Sequence, residues 1–421
     1  MMNRRNAKIL VLGAILMVAL PVVALAQMSR VEGMALQGDY IKDWSGIFSY
    51  TSQVANVGNL VYGELGNVNS PPATFDRSVG AVIGNLWDGR LGTWAIHLRE
   101  QTPSLGLGDA GSNPAPGVDG LDPNVNTNEA FDLMWGKKFG TTSFGARLSR
   151  SHGQLEIDGP SPFGTIQYDI SQFDPNFGRN VLGVGAGIGF ELSPTANIEA
   201  NILYQSRTYS LKDTTGTLVA EEGGPSTYQV SARAMWQWQP TIMVVPVFKY
   251  YKYDLSTKVT GAVTSPPFPP GTPLVTEDNS LKGWQVGAAG NWTLGSNDLF
   301  VLGATVAQNK VELSNSSFEE TETYMPQLFA ALETHVNSWL TLRFGANKGA
   351  WYKIEDKDNT VPSTVKFSGS DFNMNLGAGV KVGNLQLDAI LNSDFPNNLP
   401  YFISGNTTSD MFTKVTATYP W

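Results

Sequence analysis

The pattern of this chain predicts an all-β fold, a transmembrane antiparallel up-and-down barrel of about sixteen strands. Three observations carry that prediction. First, residues 409–421 alternate: Met411, Val415, Ala417, Tyr419 and Trp421 share one parity, and Lys414, Thr416 and Thr418 share the other. A period of two marks a strand with two unlike faces, and a strand that ends the chain must be sealed against a partner, as at a barrel seam. Second, from about residue 59 onward very short turns alternate with long polar loops. Third, the mean hydropathy is only −0.13. Outside the first 25 residues no stretch approaches the ~20 apolar residues of a spanning helix, as expected when apolar side chains occupy alternate positions of a barrel wall.

In chain order, Arg4, Arg5 and Lys8 precede an apolar run from Ile9 to Leu25, and Ala24-Leu25-Ala26 offers a small-residue cleavage site. Residues 1–26 therefore read as a signal peptide. Pro21 interrupts the run and argues against an anchor. Residues 27–58 alternate poorly and are expected to form a periplasmic or plug segment. Residues 59–421 are assigned to the barrel.

Within the barrel, short turns fall near Trp87-Asp88-Gly89, Phe139-Gly140-Thr141, Ser193-Pro194-Thr195, Gln239-Pro240, Gly295-Ser296-Asn297, Asn337-Ser338 and Gly383-Asn384. Adding a leading strand near 59–66 and the terminal strand gives sixteen, the even number that places both ends on the periplasmic side. Fourteen and eighteen stay open, because 241–259 alternates poorly and the first strand is short. Long loops near 102–127, 154–179, 213–224, 260–280, 355–369 and 396–408 are expected outside.

The strands show their faces plainly. In 370–382, Phe372, Met374, Leu376, Ala378, Val380 and Val382 oppose Asp371, Asn373, Asn375, Gly377, Gly379 and Lys381. In 180–192, Gly183, Gly185, Gly187 and Gly189 share one parity, as on an inner wall where bulk is unwanted. The 44 glycines, 11 tryptophans and 14 tyrosines suit strongly bent sheet with aromatic interfacial girdles.

If the apolar parity meets lipid, the other parity lines a lumen. It carries Arg99, Arg147, Arg207, Arg233 and Lys249, with Glu199, Asp132, Glu333, Arg343 and Asp388. A charge facing lipid at mid-depth costs ~2–4 kcal/mol for Arg or Lys, so these residues are expected inside, as lumen-lining and selectivity candidates. The whole chain is acidic, with net charge −9, yet this wall holds slightly more basic than acidic groups. Two readings follow: a wet pore whose basic stripe attracts anions or orients dipolar solutes, or structural ion pairs inside a plugged barrel.

Other chemistry finds little support. There are no cysteines and only three histidines, His97, His152 and His335. Thiolate chemistry and a His-rich metal site are thereby disfavoured. Asp119, Asp122 and Asn124 would suit Ca2+ as oxygen ligands, but the EF-hand spacing is missing and a solvated, turn-rich loop accounts for them. Ser151 and His152 are strand neighbours on opposite faces and cannot form a dyad. No nucleophile-elbow, phosphate-loop or His-Glu-x-x-His motif occurs. No enzyme activity, cofactor or nucleic-acid partner is expected.

The aromatic end of the last strand resembles the carboxy-terminal sorting signal of bacterial outer-membrane barrels, although Pro420 departs from it. Through that strand and the overall pattern the chain resembles porin-like outer-membrane proteins over nearly its whole length. Arg30, Glu32, Gly33 and Gly38-Asp39-Tyr40 resemble the leading segment of the long-chain fatty-acid transporter superfamily. In that superfamily the segment folds into the lumen as a hatch. The resemblance covers about 30 residues, and Thr51-Ser52-Gln53 stands where an Asn-Pro-Ala element is usual. Together these imply an outer-membrane location, contact with outer-membrane lipid and delivery by barrel-assembly machinery. The leading expectation is a passive channel for small hydrophilic solutes, possible as a homo-oligomer. The alternatives are a hatch-bearing transporter of hydrophobic substrates and a structural or docking barrel.

Overall fold

A computed structural model describes residues 29–66, 77–84, 86–99, 129–156, 176–212, 218–222, 226–254, 257–259, 262–263, 272–273, 280–295, 297–313, 318–358, 363–369, 372–391 and 412–421. Sixteen antiparallel strands close into a barrel. They are β1 Leu60–Gly66, β2 Arg77–Ile83, β3 Thr93–Arg99, β4 Glu129–Phe139, β5 Thr142–Glu156, β6 Asn176–Ser193, β7 Ala196–Lys212 and β8 Ser226–Gln239. The circuit continues through β9 Ile242–Asp254, β10 Ser280–Leu294, β11 Asp298–Leu313, β12 Phe318–His335, β13 Leu340–Gly349, β14 Phe372–Val382, β15 Leu385–Leu391 and β16 Phe412–Pro420. The seam is the pairing of β1 with β16, running from Leu60↔Pro420 to Gly66↔Lys414. The terminal strand therefore closes the sheet as its alternation predicts.

Alternation settles the two faces. Ile96, Leu98, Leu148, Leu182, Val184 and Phe344 stand exposed on the outside, whereas their sequence neighbours Arg99, Arg147, Gly183 and Arg343 are buried within. Trp87, Phe139, Trp236, Trp238, Trp339 and Trp421 cluster in exposed positions at the short-turn end, the girdle expected at a membrane interface. Gly140 and Gly383 hold those tight turns with φ of +60° each, a backbone region that favours glycine.

Two expectations need adjustment. The stretches 154–179, 213–224, 260–280 and 355–369, expected as loops, contain further strand. β5 and β6 pair out to Glu156↔Asn176, Leu218–Glu222 pairs with Thr257–Val259, and Ala262–Val263 pairs with Thr272–Pro273. Tyr352–Asp358 forms a hairpin with Ser363–Gly369. These ladders lie beyond the lipid band, where mixed polar sequence carries no two-solvent alternation to read. β9 is a regular wall strand despite its weak pattern. Val245 and Val247 point inward and are buried against Tyr40 and Ile41 of the leading segment, so here both faces are apolar and the period vanishes.

Candidate functional site, a hatch seated on lumen charges

Residues 29–57 occupy the barrel interior. They form one helical turn, Ser29–Glu32, and three 3-10 turns, Gly38–Tyr40, Trp44–Phe48 and Thr51–Asn56. Short turns are what this composition permits. Asp43 caps the turn Trp44–Phe48, its carboxylate accepting from the Ser45 amide at 3.0 Å and the Ser45 hydroxyl at 2.5 Å, and Ala35, with φ of 49°, follows the helical turn Ser29–Glu32.

Residues 29–41 follow the inner wall from β16 to β8 against the strand order, and residues 44–57 then run from β1 and β3 out to β7 and return through β4. Ser29 meets Thr416 of β16 through its amide at 3.1 Å and its hydroxyl at 2.7 Å. The Asn375 amide of β14 donates to the Glu32 carbonyl at 2.7 Å, and Asn347 of β13 to that of Ala35 at 3.2 Å. Tyr40 reaches Thr305 of β11 at 2.8 Å. Burial pushes its phenol up to about 12, so it stays a neutral hydrogen-bonding group. Arg147 of β5 donates to the Phe48 carbonyl at 3.0 Å. Thr51 donates to Asn201 of β7 from its hydroxyl at 2.8 Å. Ahead of Thr51 in the chain, Trp44 and Phe48 pack at tilted angles against Tyr62 of β1 and His97 of β3.

The lumen charges form the seat of this hatch. Arg99 and Arg147 converge on Asp132, which they approach at 2.6 and 2.9 Å. Arg233 binds Glu199 at 2.7 Å, donates to the Asp39 carbonyl at 2.9 Å and lies over the Tyr50 ring at 4.2 Å. Gln53 donates to both Glu199 oxygens at 3.0 Å. Lys249 pairs with Asp39 at 2.5 Å. Arg343 joins Glu333 at 2.6 Å to Asp388 at 2.7 Å. Arg30 holds Glu333 with two nitrogens, at 2.8 and 2.9 Å, and Asp43 at 2.6 Å. Burial works against the charged Arg30 guanidinium, but the carboxylates of Glu333 and Asp43 outweigh it and raise its pKa.

Of the sequence candidates, Arg99, Arg147, Arg233, Lys249, Glu199, Asp132, Glu333, Arg343 and Asp388 are thus buried inside the barrel and paired. The four described basic positions do not make one open stripe: Arg99 and Arg147 share a carboxylate, while Arg233 and Lys249 each have their own. Arg207 lies on β7, with its side chain outside the described residues, as are Asp119, Asp122 and Asn124. Sequence reasoning missed the roles of Asp39 and Glu32, hatch carboxylates that pair with Lys249 and Lys414 of the wall, of Asp43, which pairs with Arg30 within the hatch, and of Glu64, which meets Lys414 at the seam at 3.0 Å.

Wall glycines receive the hatch backbone directly. A Cβ at Gly145 would collide with the Thr51 carbonyl, one at Gly136 with the Ala55 amide, and one at Gly345 with the Met34 carbonyl. A Cβ at Gly187 would stand 2.8 Å from the Ser52 amide nitrogen. β5 and β13 are eight strands apart in a ring of sixteen, so the sockets hold the hatch from opposite walls.

The seat is not uniformly satisfied. Ser52 Oγ, Asn201 Nδ2, both side-chain polar atoms of Gln229, Ser231 Oγ and Arg233 Nη2 are buried without a hydrogen-bond partner. Each such group costs about 1–3 kcal/mol in the closed arrangement. Breaking a matched pair should cost more. Lys249→Met leaves the Asp39 carboxylate, 0% exposed, without its cation. This variant is expected to lose about 3–5 kcal/mol, read as a lower melting temperature in detergent, with Asp39→Asn on the same background recovering part of it.

No family model and no curated protein matches the chain. Among solved structures it is similar to the ferric preacinetobactin receptor BauA of Acinetobacter baumannii, at 12% identity and TM-score 0.48, over 79% of this chain and 53% of that one. It is also similar to a FadL homologue of Pseudomonas aeruginosa, at 13% identity and TM-score 0.43, over 94% and 98%. The Ralstonia pickettii toluene transporter TbuX follows at 11% and 0.39, over 94% and 98%. The chain spans about half the length of the siderophore receptor. A closed wall, apolar outside and polar within, with an aromatic girdle at the short-turn end, has one suitable environment. This chain is an outer-membrane β-barrel.

Proposed function

We propose that the protein is a hatch-gated outer-membrane transporter, in which residues 29–57 must move before a solute can pass. The observation that supports this reading is the use made of the lumen charges. Arg147, Arg233, Lys249, Glu199 and Glu333 each bind the hatch, where a simple porin would present them to water. A sixteen-stranded barrel leaves an aqueous channel unless something fills it, and here a folded segment attached to every side of the wall does so. The charged wall then acts as a seat, and passage becomes a question of hatch equilibrium rather than of a fixed radius.

Planar-bilayer recording tests this. The full chain is expected to be nearly silent, and a chain lacking residues 29–56 to show large, long-lived steps. A full chain that already conducts at the level of the deletion variant would instead mean an open porin.

A further inference from the structure

The two halves of the hatch are held by different chemistry. Residues 29–41 are anchored by the twofold Arg30–Glu333 contact, by Ser29 on Thr416, and by a cluster in which Val31, Met34, Tyr40 and Ile41 pack on Val247 and Phe329. The turn at residues 50–53 lies against β5–β8 through polar contacts, the Thr51 carbonyl at Gly145, Thr51 on Asn201, Gln53 on Glu199 and the Tyr50 ring under Arg233, beside the unmatched polar atoms described above. Strand register gathers these atoms. Asn201, Ser231 and Lys249 form one rung across β7, β8 and β9, and Leu203, Gln229 and Tyr251 form the next. Gln229 and Ser231 are 1% and 0% exposed.

We propose that the hatch opens first at residues 50–53, which swing away from β6–β8 while residues 29–41 stay docked, and that the passage so formed takes small, hydrogen-bonding solutes of little net charge. The proposal rests on the gating reading and names its moving part and its cargo. Buried donors and acceptors without partners favour any state in which water or a polar solute reaches them. The newly wetted wall would carry neutral Asn201, Gln229 and Ser231. Its charges already cancel, Arg233 against Glu199 and Lys249 against Asp39. An ion of either sign gains little there, while a solute rich in hydroxyl or amide groups can replace the missing partners.

The chain has no cysteine, so engineered pairs can trap either half. A Cβ at Gly189 stands 3.4 Å from Ser52 Oγ, which suits Ser52→Cys with Gly189→Cys. Ser29→Cys with Thr416→Cys replaces hydroxyls 2.7 Å apart. Proteoliposome swelling would be followed in arabinose, with gluconate and lysine as charged comparisons. Oxidised S52C/G189C is expected to lower arabinose swelling to the protein-free level, reversibly with reductant, while oxidised S29C/T416C retains most of it. Gln229→Leu, which removes two unmatched atoms, is expected to slow swelling about tenfold.

Block by both traps would mean that the hatch leaves as one body, which overturns the inference but keeps the gate. Block by S29C/T416C alone, or charged solutes outrunning arabinose, would overturn it too. Swelling that neither trap alters would remove the gating reading itself. Where the intact protein gives no swelling, maleimide labelling decides: Ser52→Cys ahead of Ser29→Cys supports the inference, and equal rates overturn it.

Discussion

Gly345→Val and Gly145→Val are each expected to unseat the hatch and turn a quiet barrel into a conducting one. Both glycines face the lumen, and at each a Cβ would run into hatch backbone, the Met34 carbonyl from β13 and the Thr51 carbonyl from β5. A clash with backbone has no rotamer to escape into, so either the wall or the hatch must shift. The wall is fixed by paired strands on both sides, which leaves the hatch. Overpacking costs about 1–3 kcal/mol, and every 1.4 kcal/mol is tenfold in population. Open probability in bilayer recordings should therefore rise about tenfold or more. Gly58→Ala is the control, since nothing lies within 4 Å of a Cβ built there. Equal conductance in Gly145→Val, Gly345→Val and Gly58→Ala would contradict the socket account.

The second large effect is on stability. Asp132 is 0% exposed and serves two guanidinium groups and the Ser149 hydroxyl, which donates to it at 2.5 Å. Asp132→Ala would take from the buried Arg99 and Arg147 the carboxylate that they share. Breaking a buried pair from one side typically costs about 3–5 kcal/mol. A drop of that order in unfolding free energy is expected in urea titrations of the protein in lipid vesicles. Replacing all three groups with apolar residues of similar volume should restore much of the loss. It should not restore hatch seating, because the Phe48 carbonyl would still lack the Arg147 donor. Separate recovery of the two readouts distinguishes holding the wall together from holding the hatch.

Much of this arrangement was legible in the sequence, for a physical reason. A strand between hydrocarbon and water must alternate, so the seven turns, the sixteen strands and the inward direction of residues such as Arg147, Glu199 and Asp388 followed from parity. Parity says which face a side chain occupies and nothing about what it touches there. Arg99, Arg147 and Arg233 find their carboxylates on the adjacent strand, as the ion-pair reading has it, but the hatch partners are remote in the chain: Asp39 is 210 residues from Lys249, and Arg30 is 303 from Glu333. The glycines of β6 were read as places without bulk, and the fold shows what fills them: Thr51 and Ser52 come up to Gly187 and Gly189, and the wall side chains Ser149 and Leu203 to Gly183 and Gly185. β9 lost its signal because its inner face meets the apolar side of the hatch. The hatch itself, built from single turns, has no period at all.

The seam between β1 and β16 has a mechanical consequence. Thr416 of the closing strand bonds at once to Ser29 and, at 2.7 Å, to Glu64 of β1, while Lys414 bridges Glu32 and Glu64. Tension applied to the chain just ahead of Ser29 is therefore borne in series, by these polar contacts before the packed body behind them. The ladder that closes the cylinder lies one bond further along the same line of force. A tug strong enough to free the first turn of the hatch would load the wall at the one junction where the two ends of the sheet meet.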